Sequence, residues 1–183
     1  MDLWDNPLPA GVIEQKLVQI MSDIMKTSLS EHEEVAYPGP MIQDPPRPVG
    51  GHTLKKHAGK SDAELLARFT WDPGCSVSSG FFHNVSFAEA IVAKALLSNL
   101  GEVYNWYTGS KARKAELSDA GEDDADLVIV YQNNFPIGRS FRHDKQDKPA
   151  KLKSKITIKL RWVKDDAPLI NGRNDFILTA FPC

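Results

Sequence analysis

At 183 residues, with 42% hydrophobic and 25% charged side chains, the chain is long enough for one domain of ordinary size plus a short extra segment. Its composition excludes a collagen-like or wholly disordered polypeptide. A formal net charge of −2 supplies no overall field that draws a protein to nucleic acid, so any such affinity has to be local.

Residues 12–29 place Val12, Ile13, Leu17, Ile20, Met21 and Ile24 at helical spacing, which predicts one amphipathic helix. The stretch YPGPMIQDPPRPVGG that follows is too rich in proline and glycine for regular structure and predicts an extended, semi-rigid connection. A boundary is therefore expected at residue 50, with 1–49 an N-terminal helical segment and linker and 50–183 the main domain. No apolar run approaches the roughly 18 residues that span a bilayer. The acidic start MDLWDNPLPAG lacks the basic and apolar regions of a signal peptide. Neither a membrane anchor nor self-export is expected.

Past the linker, His52–Ala58 is expected to form a helical turn or two, stopped by Gly59. Ser61 and Glu64 have the spacing of a capping box ahead of Leu65, Leu66 and Phe69, so a helix starts at Ser61. VSSGFFH reads as a short strand. Ser86 with Glu89 repeats the capping-box spacing before a long helix whose end carries Trp106 and Tyr107. KARKAELSDAGEDDAD runs from basic to acidic without an apolar face and reads as a solvated loop. Four strand-like runs close the chain: DLVIVYQ, PIGRSFRH, KLKSKITIKLRWV and DFILTAF. Helices first and strands after predict an α+β fold, with helices packed on a twisted antiparallel sheet. Only Cys75 and Cys183 are present. The fold is thus expected to have no disulfide framework, which suits a reducing compartment.

Alternation along the third run sets Lys151, Lys153, Lys155, Thr157, Lys159 and Arg161 on one face. Arg139, Arg142, Lys145 and Lys148 extend the charge. Such a stripe binds RNA phosphates by counterion release; equally, lysines guard an edge strand against aggregation. For acid–base chemistry the five histidines are the first choice. His52 and His57 stand among Lys55, Lys56, Lys60 and Arg68, which joins a proton acceptor to cations able to meet charge growing on a phosphoryl group. A histidine on a helix is also commonly a surface or core residue. His32, His83 and His143 are expected to be structural or solvent-facing. No CxxC, HExxH, Walker A, GxGxxG or GxSxG sequence occurs, so no metal and no cofactor are expected.

GHTLKKHAGKSDAELLARF at 51–69, FFHNVSFAEAIVAKAL, PIGRSF and the terminal FILTAFP resemble the bacterial CdiA C-terminal RNase A-like toxin family. The resemblance covers about residues 50–183. It implies an RNase A-like fold without disulfides, an RNA substrate, a cognate immunity protein and delivery within a larger effector to the target-cell cytoplasm. It also implies a monomeric ribonuclease of competing bacteria, active without metal. Carried onto this chain, the family's catalytic His, Arg and Thr are His57, Arg68 and Thr179. The family's Tyr position holds Phe181, which removes a hydroxyl. His52, Lys60 and Tyr131 are candidates to replace it. The alternative is a non-catalytic RNA-binding or interaction module on the same fold.

Overall fold

The computed structural model describes residues 28–33, 50–113, 126–162 and 175–183. The helix expected over 12–29 lies outside them except for its last two residues, as do most of the proline-rich connection and residues 114–125 of the charged loop. A 3₁₀ turn, Leu29–His32, precedes α1 (Thr53–Lys56), α2 (Asp62–Trp71), β1 (Val77–Phe81), α3 (Val85–Ser98) and α4 (Leu100–Arg113). Then come β2 (Leu127–Gln132), β3 (Gly138–Arg142), a 3₁₀ turn at His143–Lys145, β4 (Lys151–Lys153), β5 (Lys155–Trp162) and β6 (Asp175–Pro182).

The fold is α+β with antiparallel pairing, as the segregation of helices and strands predicts. The strands form two three-stranded sheets, ordered β1-β3-β4 and β2-β5-β6. The long cationic strand read from the sequence is accordingly two strands in two sheets. Its partners dictate the break: β2 and β3 lie in different sheets, and the 151–162 segment pairs with both. At the step, the Lys153 carbonyl accepts from the Ile137 N–H at 2.7 Å and the Ser154 carbonyl from the Asn133 N–H at 2.8 Å. These two bonds engage the carbonyls on either side of the break.

Helix starts follow local chemistry where a cap is unambiguous. Ser61 and Glu64 make the predicted capping box, with Ser61 Oγ accepting from Glu64 N at 3.3 Å and Glu64 Oε2 accepting from Ser61 N at 2.8 Å. Ser86 does not cap α3. Asn84 takes that place two residues earlier, its Oδ1 accepting from Phe87 N at 3.0 Å. Glu89 is thereby freed and binds Ser28 Oγ and the Leu29 N–H, both at 2.9 Å. The long helix expected from Ser86 onward is divided at Asn99, whose N–H closes α3.

Alternate residues of β5, Ile156, Ile158 and Leu160, are buried with Ile91, Val92 and Leu96 of α3 in the main core. Leu65 and Phe69 of α2 make a second cluster with Cys75 and Phe141 against the first sheet. Both cysteines are free.

Residues 28–33, upstream of the boundary expected at residue 50, pack into this domain. Leu29 joins the main core at 2% exposure. The buried His32 accepts the Ile177 N–H on Nδ1 at 3.1 Å, and Glu33 bridges to Gly51 as an isolated β-pair. Gly51 permits this approach, since a Cβ there would overlap the carbonyl oxygens of Ile177 and His32. Leu29→Ala should therefore cost about 2–5 kcal/mol, seen as a lower urea midpoint. An unshifted midpoint would place the segment outside the cooperative unit.

Candidate functional site

α1 is short and is held in place from several sides. The His52 N–H donates to Leu178 O at 2.9 Å, and Thr53 Oγ1 accepts from the Ala180 N–H at 2.9 Å. Glu33 receives the Leu54 N–H at 2.6 Å and the Lys55 N–H at 3.2 Å, which supplies orphan donors of the first turn with an anionic acceptor. These bonds lay α1 along β6, so His52 and His57 come beside Thr179 and Phe181. His57 then meets β1: its carbonyl accepts from the Phe81 N–H at 2.9 Å. Gly80 leaves room for that crossing, with Leu65 and the His57 carbonyl within 3.1 Å of where a Cβ would stand.

His57 is 5% exposed. Its Nδ1 lies 2.7 Å from the Ser79 carbonyl oxygen, which can only accept, so Nδ1 carries the proton and Nε2 keeps its lone pair. Burial chiefly, and then the positive charge of Arg68, His52 and Lys56, lowers the His57 pKa from 6.5 to about 3, against the opposing Ser79 bond. The imidazole is neutral at physiological pH. Its ring lies 5.3 Å from that of Phe181 and 6.2 Å from that of His52, centroid to centroid.

Arg68, in the last turn of α2, is oriented by Asp72 one turn on. Nε donates to Asp72 Oδ2 at 3.1 Å, and Lys56 Nζ reaches the same oxygen at 3.2 Å. These two cations hold the Asp72 carboxyl below its ordinary pKa in spite of the desolvation that opposes them. Arg68 Nη1 and Thr179 Oγ1 are both buried and have no hydrogen-bond partner among the described residues. Each unmet group costs on the order of 1–3 kcal/mol.

His52, His57, Arg68, Thr179 and Phe181 line one cleft of about 390 Å³, together with Ser79, Lys153 and Cys183. The cleft thus offers a neutral imidazole, a second histidine, an oriented guanidinium and a hydroxyl to whatever polar group enters it. Lys60 and Tyr131 are not among its lining residues. Lys60 pairs with Glu64 at 3.7 Å, and Tyr131 packs on the core under Lys94. Of the cationic stripe, Lys153 alone reaches the cleft. Lys159 and Arg161 are tied to the buried Asp126 at 2.6 and 2.7 Å, and Lys155 stands exposed on β5.

The motif-based reading missed Asp72, the Ser79 carbonyl and Glu33. The i, i+4 spacing of Arg68 and Asp72 on a helix was a usable signal for the first. The other two reach the site through tertiary contacts that carry no local pattern.

A family model described as the bacterial CdiA-CT RNAse A domain matches residues 51–182. Among solved structures, a CdiA-CT/CdiI complex from Y. kristensenii matches with a TM-score of 0.52 and 27% identity, covering 73% of this chain and 99% of that one. No curated protein matches the chain.

Proposed function

This chain belongs to the bacterial CdiA-CT RNase A domain family, and on that footing we propose that it is a metal-independent endoribonuclease toxin acting by 2′-hydroxyl transphosphorylation in the cytosol of competing bacteria. One observation carries the reading: Arg68 and Thr179, each with a buried polar atom left unmet, line the same cleft as the neutral His57. Two buried groups able to donate, one of them cationic, match the non-bridging oxygens of a phosphodiester.

In this mechanism His57 Nε2 accepts the proton of the ribose 2′-hydroxyl. The freed oxygen attacks the adjacent phosphorus, forming the P–O2′ bond as the P–O5′ bond breaks. The charge growing on the equatorial oxygens meets Arg68 and Thr179. The 5′-oxygen leaves with a proton from His52, which lines the same cleft as His57. The products are a 2′,3′-cyclic phosphate and a 5′-hydroxyl. Phe181 contributes an aromatic face on which a base can stack.

Total RNA incubated with the protein in excess chelator is expected to yield cyclic-phosphate ends, while DNA, lacking the internal nucleophile, survives. Cleavage of DNA, or loss of activity with chelator, overturns the mechanism. The phenyl ring in place of a hydroxyl at residue 181 favours a second reading, a non-catalytic RNA-binding module; intact RNA bound tightly to the protein would establish it.

A CdiI-type immunity protein is the partner that the Y. kristensenii complex suggests. Delivery as part of a larger effector, and action as a monomer, complete the proposal. Among the described residues no helix is long and apolar enough to cross a membrane.

A further inference from the structure

Beside the cleft lies a second concavity of about 430 Å³, walled by Arg142, Lys145, Lys148, Lys151 and Lys153. Its cations come from three elements: the end of β3, the 3₁₀ turn with the loop after it, and β4. Pairing of Val77 with Arg142, and of Gly138 and Ser140 with Lys153 and Lys151, places Val77, Arg142, Lys151 and Lys153 on one face of the first sheet. Val77 and Lys153 line both the groove and the cleft, so the two are continuous.

The charge is strongly local. Two of the five cations have a carboxylate: Arg142 is bidentate to Asp144 at 2.9 and 3.0 Å, and Lys148 pairs with Asp147 at 3.2 Å. Lys145, Lys151 and Lys153 have no ion-pair partner among the described residues, in a chain whose formal net charge is −2. β4 is the edge strand of its sheet, where lysines also guard against aggregation. Here β4 lysines face a concavity together with cations from two other segments, an arrangement suited to a flexible polyanion.

We propose that this groove is a backbone subsite for single-stranded RNA. It holds the phosphates next along the strand from the scissile bond, and Lys153 carries the strand from groove to cleft. The inference rests on the ribonuclease reading for the identity of the strand. It makes the protein selective for polymeric RNA over short fragments, because only a longer strand reaches both sites.

The test is the double charge reversal Lys145→Glu/Lys148→Glu, two exposed positions remote from the fold's core. The ratio of kcat/KM for an oligoribonucleotide long enough to fill both sites to that for a dinucleotide is expected to fall about tenfold or more. A non-cleavable 2′-deoxy oligonucleotide of the same length should lose affinity in parallel. Its log affinity against log salt should become shallower by roughly 0.7 for each phosphate that the variant no longer neutralises.

An unchanged ratio together with unchanged deoxy-oligonucleotide affinity overturns the proposal. Weakened binding of a CdiI-type immunity protein, with oligonucleotide affinity intact, overturns it too and assigns the groove to protein docking. If the wild-type protein cleaves neither substrate, yet the reversal abolishes its affinity for the deoxy oligonucleotide, the subsite stands and the ribonuclease reading fails.

Discussion

His57→Asn is expected to lower kcat/KM for RNA by about 10²–10⁴-fold, the range contributed by a positioned general base, without loss of the fold. Asparagine places an amide N–H near the position of Nδ1, so the bond to the Ser79 carbonyl is kept while Nε2 disappears. In the wild-type protein the same residue sets the acid side of the pH profile. Because burial and neighbouring cations hold the free-enzyme pKa at about 3, kcat/KM should stay high as pH falls below 6.5 and decline only toward that value. An acid limb near 6.5 would remove His57 from the role.

Stability should follow the same proton with the opposite consequence. The folded-state pKa is depressed below the unfolded value, so the unfolded chain takes up a proton that the folded one refuses. The contribution is complete above pH 6.5 and is lost as pH falls toward about 3. Between pH 7 and pH 5 this amounts to roughly 2 kcal/mol, since a pKa unit corresponds to about 1.4 kcal/mol. The asparagine variant should lose that part of the slope in urea titrations at the two pH values. Equal slopes in the two proteins would mean that His57 is not buried as a neutral base.

Arg68→Met is expected to lower kcat for RNA by about 10²–10³-fold, as for removal of one donor to a developing oxyanion, and to leave Tm unchanged or raise it. The guanidinium is held by Asp72 but leaves Nη1 buried and unmet, a cost that the thioether does not carry. Lys56 remains to pair with Asp72. Arg68→Lys should fail almost as fully, because an ammonium cannot hold Asp72 and a phosphate oxygen in the same fork. A guanidinium serving only the fold would show the reverse pattern, with Tm falling and kcat preserved. Thr179→Val removes the other unmet group and should reduce kcat by about tenfold, the worth of one hydrogen bond.

His57 and Arg68 stand in one short sequence motif, so their candidacy was legible in residues 51–69. Their neutral and unmet states were not. The low pKa of His57 comes from the packing that buries it against the Ser79 strand edge, and the unmet Nη1 of Arg68 comes from the way Asp72 occupies its other side. Phe181 was legible as a departure, but its closeness to the His57 ring depends on bonds between α1 and β6.

The cationic stripe illustrates the opposite error. Period two correctly separated Ile156, Ile158 and Leu160 from the charged side chains, because the pleat imposes that alternation on any strand. It could not reveal that β2 and β3 draw the segment into two sheets, or that Asp126 ties up Lys159 and Arg161.

By itself, then, the sequence determined the helix that Ser61 caps, the positions of most strands, the α+β class and the family. Each of these rests on neighbours within a few residues or on a contiguous motif. Tertiary structure alone decided that residues 28–33 complete the core and that Lys151 and Lys153 join a groove apart from Lys155, Lys159 and Arg161. Those outcomes depend on partners 11 to 145 residues away, whose meeting is set by packing and by the need to satisfy most buried polar groups at once.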